Sequence, residues 1–162
     1  GGYFARYATG KKLIVAFRGA DQVQAYFHNF QPKLDPWGTD SNIQVHHGFK
    51  TSFNTLADTL IQRTRGYLDK YPDHQLWVIG QSLGGVHATM LATRLLEIPA
   101  AGLKDRMVLT TFGRPRLGNK NFAAYIIGLG LVHQRVTNKN DIFSRIPLRR
   151  MGYLHENDEF FI

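Results

Sequence analysis

The sequence contains no cysteine, so no disulfide staples it and the usual clue to redox compartment is missing. No apolar run approaches the roughly 18 residues that cross a bilayer. There is no Asn-x-Ser/Thr glycosylation acceptor, no signal-peptide pattern at Gly1-Gly2-Tyr3, and no internal repeat, low-complexity tract or linker. No His-x-x-x-His pair occurs. Adjacent His46 and His47 make a poor metal site without a partner at helical spacing, so His47 is expected to serve as a hydrogen-bonded structural residue. No metal or organic cofactor is expected. Acidic residues are scarce: 12 Asp and Glu stand against 20 Lys and Arg, a formal charge of +8. Such a balance favours an anionic surface, either nucleic acid or a negatively charged lipid interface. The basic residues are scattered, however, from Lys11 and Lys12 through Arg63, Arg65, Lys104, Arg106, Arg114 and Arg116 to Arg145, Arg149 and Arg150. They form no basic helix and no alternation with aromatics. Nucleic acid is therefore not the expected partner, and these side chains are expected to be solvated.

What is present suits one globular domain. The chain has 162 residues, of which 43% are hydrophobic, enough for a sizeable core. Tyr3 to Tyr7 and Lys12 to Phe17 read as strands joined at Thr9-Gly10. Asp21 is a good N-cap for a short helix over Gln22 to Phe30, where Val23, Tyr26, Phe27 and Phe30 recur at helical spacing. That aromatic stripe either faces the core or forms a flap over an apolar site. Pro32, Pro36, Gly38 and Asp40 mark a loop. A longer helix is predicted from His46 to about Tyr71, with Phe49, Phe53, Leu56, Leu60, Tyr67 and Leu68 along one side. Met107 to Phe112 and Val132 to Thr137 read as further strands, with a helix capped by Asn119 between them. Alternating strands and helices predict an α/β fold with a mostly parallel sheet.

The chain is organised around Gln75 to Val86. Leu76 to Ile79 is a wholly apolar run, as in a strand buried on both faces of a parallel sheet. It leads into Gly80-Gln81-Ser82-Leu83-Gly84, followed by Gly85 and helix-compatible residues to Glu97. A serine on a sharp turn between strand and helix exposes its hydroxyl above the sheet edge, and flanking glycines leave room for the strained backbone. The following helix turns free N–H groups toward negative charge forming there. No Lys follows the second glycine, which argues against a phosphate-binding P-loop. Ser82 is the candidate nucleophile, and it needs a base oriented by an acid. Asp141 stands just after the strand Val132 to Thr137, where that acid is expected. Asp105, Glu97, Asp158 and Glu159 are placed less well.

Several stretches together resemble the fungal-type class 3 lipases, which include triacylglycerol lipases and feruloyl esterases. They are Val15-Ala-Phe-Arg-Gly-Ala20, Val45-His-His-Gly-Phe49, Gly80-Gln-Ser-Leu-Gly-Gly85, Thr111-Phe-Gly-Arg-Pro-Arg-Leu-Gly-Asn119, Asn140-Asp-Ile142 and Gly152-Tyr-Leu-His155. The resemblance implies an α/β-hydrolase fold, Ser82 as nucleophile, Asp141 as acid, and an oxyanion hole from the Ala20 and Leu83 backbone N–H groups. It also implies a lid over Asp21 to Phe30, with Val23, Tyr26, Phe27 and Phe30 meeting lipid. Gln81 departs from the family's usual His, and Ala20 from its Ser or Thr, which removes a hydroxyl but keeps the N–H.

In the family the catalytic histidine lies a few dozen residues past the Gly-Tyr-x-His block, and a helix precedes the first strands. Residues 1–162 are accordingly expected to be the central portion of one longer hydrolase domain, with the base beyond Ile162. His155 matches a non-catalytic histidine of the family and is the less favoured alternative for the base, since triads are set in space rather than by sequence distance. His133 and His87 are expected to be packed or solvated. The expected activity is hydrolysis of lipid carboxylic esters, most simply triacylglycerols at an oil–water interface. Its alternatives are an esterase of small soluble esters or an inactive lipid-binding fragment. The expected partners are the ester substrate and a lipid surface, a monomer is expected, and the resemblance implies secretion.

Overall fold

The computed structural model describes residues 1–21, 31–99, 102–156 and 159–161. The predicted Gln22–Phe30 helix, with Val23, Tyr26, Phe27 and Phe30, lies outside the described residues. Strands β1 (Gly2–Tyr7), β2 (Lys12–Phe17), β5 (Gln75–Gln81), β6 (Met107–Phe112), β8 (Val132–Thr137) and β10 (Glu159–Phe161) build one sheet in the order β1-β2-β5-β6-β8-β10. β1 runs antiparallel to β2, and every other neighbouring pair is parallel. This is the mostly parallel α/β-hydrolase sheet that the apolar runs predict. The alternation of buried and half-buried residues in Leu13–Phe17 and Leu76–Gly80 shows why: β2 and β5 are covered by helices.

The strands β3 (Leu34–Pro36), β4 (Gln44–His46), β7 (Gly118–Asn119) and β9 (Tyr153–Leu154) form a second, antiparallel sheet. Part of the predicted Pro32–Asp40 loop is thus strand. Pro36 is tolerated because β3 lies on the sheet edge, where a missing N–H breaks no ladder. Asn119 ties this sheet to its surroundings: its Oδ1 accepts from the N–H groups of Gln44 and Phe122, capping the next helix as expected, while its Nδ2 donates to Asn42 O.

The predicted His46–Tyr71 helix is two helices, α1 (His47–Asn54) and α2 (Ala57–Lys70). Thr55 Oγ1 donates to Ser52 O, and Leu56 sits at φ −121°, outside the helical region, so the axis is re-aimed there. Phe49, Phe53 and Leu68 are buried, but Leu56 and Tyr67 stay exposed, against the single-stripe expectation. Helix α3 (Leu83–Glu97) is buried along most of its length. Its Thr89 and Thr93 hydroxyls donate to the carbonyls of Gly85 and Thr89, four residues earlier, and so cost nothing unsatisfied. At its far end Glu97 accepts from Trp37 Nε1 at 3.0 Å and Tyr125 Oη at 2.9 Å, a structural use of that carboxylate. Helix α4 (Lys120–Gly128) completes the layers. Among the described residues no helix is long and apolar enough to cross a membrane.

Candidate active site

β5 delivers its last residues to the C-terminal edge of the sheet, and the chain turns back at once into α3. Ser82 makes that turn at φ 51° and ψ −123°, a left-handed conformation rare for a residue with a side chain. The turn is held by Ser82 N–H donating to Phe112 O at 2.8 Å and by Gly85 N–H donating to Ser82 O at 2.9 Å. Both flanking glycines are required by space. A methyl group at Gly80 would drive into the Gly84 backbone, and one at Gly84 into the Phe17 and Arg18 carbonyls. Ser82 Oγ has no hydrogen-bond partner among the described residues.

Asp141 lies beyond β8 in a turn closed by its own N–H, which donates to Asn138 O at 3.0 Å. Its Oδ1 accepts from Phe143 N–H at 2.8 Å, and its backbone carbonyl accepts from Ser144 Oγ at 2.8 Å. The other carboxylate oxygen, Oδ2, faces Gly113 at φ 56°, where a methyl group would collide with it. Gly113 N–H is anchored to Val136 O at 2.9 Å. Ser82 and Asp141 line one cavity of about 330 Å³, together with Gln81, Phe112, Gly113, Val136, Asn138 and Phe143. The sheet thus brings together two residues chosen from the sequence 59 positions apart (141 − 82).

Ala20 and Leu83 both line a second cavity, of about 270 Å³, with Gly19, Ser52 and His87. Gly19 must approach closely there: a methyl group on it would sit 3.2 Å from Ser82 Cβ. Leu83 is the first residue of α3, so its N–H precedes the first intrahelical bond and points out of the helix. An anion formed on a group bound at Ser82 would meet this helix end.

The described histidines are engaged elsewhere. His155 Nε2 donates to Ser144 O at 2.7 Å, and its Nδ1 is sealed from solvent without a partner among the described residues. Burial, aided by Arg114 and Arg135, lowers its pKa to about 3. It does not line the Ser82–Asp141 cavity. His133, inside β8, has Nε2 3.3 Å from Thr111 Oγ1, and burial lowers it to about 4. His87 Nε2 lies 3.1 Å from Ser52 Oγ and is also lowered by burial. His47 Nδ1 is 2.5 Å from Asp35 Oδ2, the expected structural role. His46 caps α1 through Nδ1, which accepts from Phe49 N–H, and donates from Nε2 to Gln31 O. Among the described residues, no group of three or more His, Cys, Asp or Glu is placed to hold a metal ion.

One expectation is overturned. Arg114 is not solvated but wholly buried, its Nη2 donating to Glu156 Oε1. Arg116 likewise turns inward and donates to the carbonyls of Arg145 and Pro147. Arg135, also buried, pairs with Glu159 Oε1 at 2.6 Å. Glu156 escapes sequence reasoning altogether. Its partner is 42 positions away, and no local pattern distinguishes it from a surface carboxylate.

The family model for class 3 lipases matches residues 14–151. The lipase of Rhizomucor miehei is 28% identical over 158 residues, a match covering 98% of this chain and 44% of that protein. The solved structure of that organism's triacylglyceride lipase superposes with a TM-score of 0.94, over 99% of this chain and 61% of that one. A secreted mono- and diacylglycerol lipase A of Penicillium cyclopium is 31% identical over 161 residues, which is 99% of this chain and 51% of that protein. A third relative, a triacylglycerol lipase whose catalytic centre is a serine-protease triad, is 29% identical with a TM-score of 0.92, over 99% of this chain and 61% of that one. The chain therefore spans about half or less of the length of the curated relatives it matches.

Proposed function

The chain belongs to the class 3 lipase family, and from that membership we propose that its protein is a serine-type hydrolase of lipid carboxylic esters. Ser82 Oγ attacks the ester carbonyl, and a histidine contributed from outside residues 1–162 takes the hydroxyl proton. Asp141 Oδ2, left open by the turn that occupies Oδ1, holds that imidazole in the required tautomer and steadies the imidazolium. The tetrahedral oxyanion is bound by the N–H groups of Leu83 and Ala20, each such donor being worth roughly 10²–10³ in rate. The imidazolium returns the proton to the leaving alcohol, and water then releases the acid by the same route. In this reading residues 1–162 are the central portion of one hydrolase domain.

The observation that carries the reading is the serine itself. Ser82 occupies a strained left-handed turn, its hydroxyl has no partner among the described residues, and it shares a cavity with a carboxylate. Backbone strain of this kind persists only where the surrounding structure enforces it. The substrate class follows from the relatives, which are lipases of mono-, di- and triacylglycerols, one of them secreted. An acyl glycerol, met at a lipid surface outside the cell, is the proposed substrate here, with residues 21–30 as the lid.

The test uses the full-length protein that contains this sequence. A fluorophosphonate probe is expected to label it at Ser82, and Ser82→Ala is expected to lose both labelling and ester hydrolysis. Undiminished hydrolysis by Ser82→Ala refutes the assignment. Rates on emulsified long-chain triacylglycerols should rise sharply above the substrate's solubility limit. A preference for short soluble esters with no such rise identifies an esterase instead. Labelling failure with retained liposome binding identifies a lipid-binding fragment.

A further inference from the structure

We propose that the buried Arg114–Glu156 ion pair is a positioning device, which holds the Asp141 turn in register with the Ser82 turn. The inference rests on Ser82 and Asp141 acting as proposed above.

The pair stands where three braces meet. Arg114 directly follows Gly113, whose left-handed backbone makes room for Asp141 Oδ2. The Arg114 stem packs against the first turn of α3: a methyl group on Gly85 would sit 3.0 Å from Arg114 Cβ. Gly85 N–H in turn donates to Ser82 O. Glu156 directly follows His155, whose Nε2 donates to Ser144 O, and Ser144 Oγ donates to Asp141 O. One ion pair therefore joins the residue beneath the carboxylate, the helix that carries the serine, and the segment that clamps the Asp141 turn. Neither Arg114 nor Glu156 lines the cavity itself, so the pair acts through its neighbours.

Stability alone is a poor reason for such a pair. Arg114 is 0% and Glu156 1% exposed. Both charges are stripped of water, and Arg114 Nε and Glu156 Oε2 have no partner among the described residues. Burial alone would raise the Glu156 carboxyl, yet the Arg114 guanidinium beside it lowers it and keeps the group ionised. Apolar side chains of similar volume commonly hold a fold as well as a buried ion pair does. What they do not supply is a directed, charge-assisted bond that fixes one geometry between separate segments. Chemistry at a serine is sensitive to that geometry, since a displacement of about 1 Å costs about 10²-fold in rate.

The experiment replaces both charges at once in the full-length protein that contains this sequence. The double variant Arg114→Met/Glu156→Leu is expected to melt no lower than the parent. Its kcat on a soluble ester should fall roughly 10- to 100-fold with KM changed less than about threefold. Phosphonate labelling of Ser82 should slow in parallel, and Arg114→Lys, which keeps the charge, should recover part of the loss. Parental kcat in a double variant of parental melting temperature overturns the proposal and leaves the pair a packing feature. Should the double variant not fold, Glu156→Gln keeps the shape and decides: a folded protein with reduced kcat supports positioning, and one with parental kcat overturns it. Ser82→Ala runs alongside. If it retains hydrolysis, the nucleophile assignment has failed and not the pair.

Discussion

At the scale of single residues, the site depends on positions where a Cβ atom does not fit. Gly113 illustrates this. Its φ of 56° and its contact with Asp141 Oδ2 mean that Gly113→Ala both strains the backbone and pushes the carboxylate aside. The variant is expected to lose about 1 kcal/mol of stability and roughly 10- to 100-fold in kcat, checked by chemical denaturation and by steady-state kinetics. Ser82 and its glycines were legible in the sequence because a tight turn is a local matter, written in consecutive residues. Asp141 was legible for the same reason, standing in the polar turn that directly follows β8. Gly113 opposite Asp141 was not, because that contact depends on the parallel register of β6 and β8, which sets Phe112 against Val136. Arg114 and Glu156 were opaque for a stronger version of this reason: two charged residues 42 positions apart look solvated until a fold brings them together.

At the scale of elements, α3 crosses the sheet edge so closely that its first turn touches β2. The measure of that approach is Gly84, where a methyl group would meet the Phe17 and Arg18 carbonyls, backbone atoms that cannot swing away. Gly84→Ala is expected to lower unfolding free energy by about 1–3 kcal/mol, seen as a lower melting temperature. It should also reduce serine labelling, because α3 carries Ser82 with it. The long strands β2, β5 and β6 were readable from largely apolar runs, and β8 from its β-branched Val132, Val136 and Thr137. The strands of the second sheet were not, since β7 and β9 have two residues each and β3 and β4 three, too few to carry a period. The break between α1 and α2 was hidden by Leu56, which continues the apolar spacing yet is 49% exposed.

At the scale of the whole molecule, buried neutral histidines make the fold sensitive to acid. Burial lowers His46 and His133 to about 4 and His155 to about 3 from an ordinary value of 6.5. Between the folded and ordinary values the unfolded chain binds protons that the folded chain does not, so stability falls as the pH drops. The loss begins near pH 6.5 and continues downward. Below about 4.5 Glu156 adds to it with the same sign, because its folded carboxyl is held near 2. Melting temperature is therefore expected to be flat just above neutrality and to decline steadily below pH 6.5. His155→Gln, which can still donate to Ser144 O, should flatten that decline. An unchanged slope in this variant would show that His155 does not contribute.

The order in which the main sheet is laid down has a consequence for synthesis. From β2 outward, each parallel strand joins the one made before it: β5 on β2, β6 on β5, β8 on β6, β10 on β8. A chain leaving the ribosome N-terminus first always finds its docking edge already emerged, and no strand waits on a partner not yet translated. Ser82, just past the second strand of that succession, emerges before the strand that leads to Asp141.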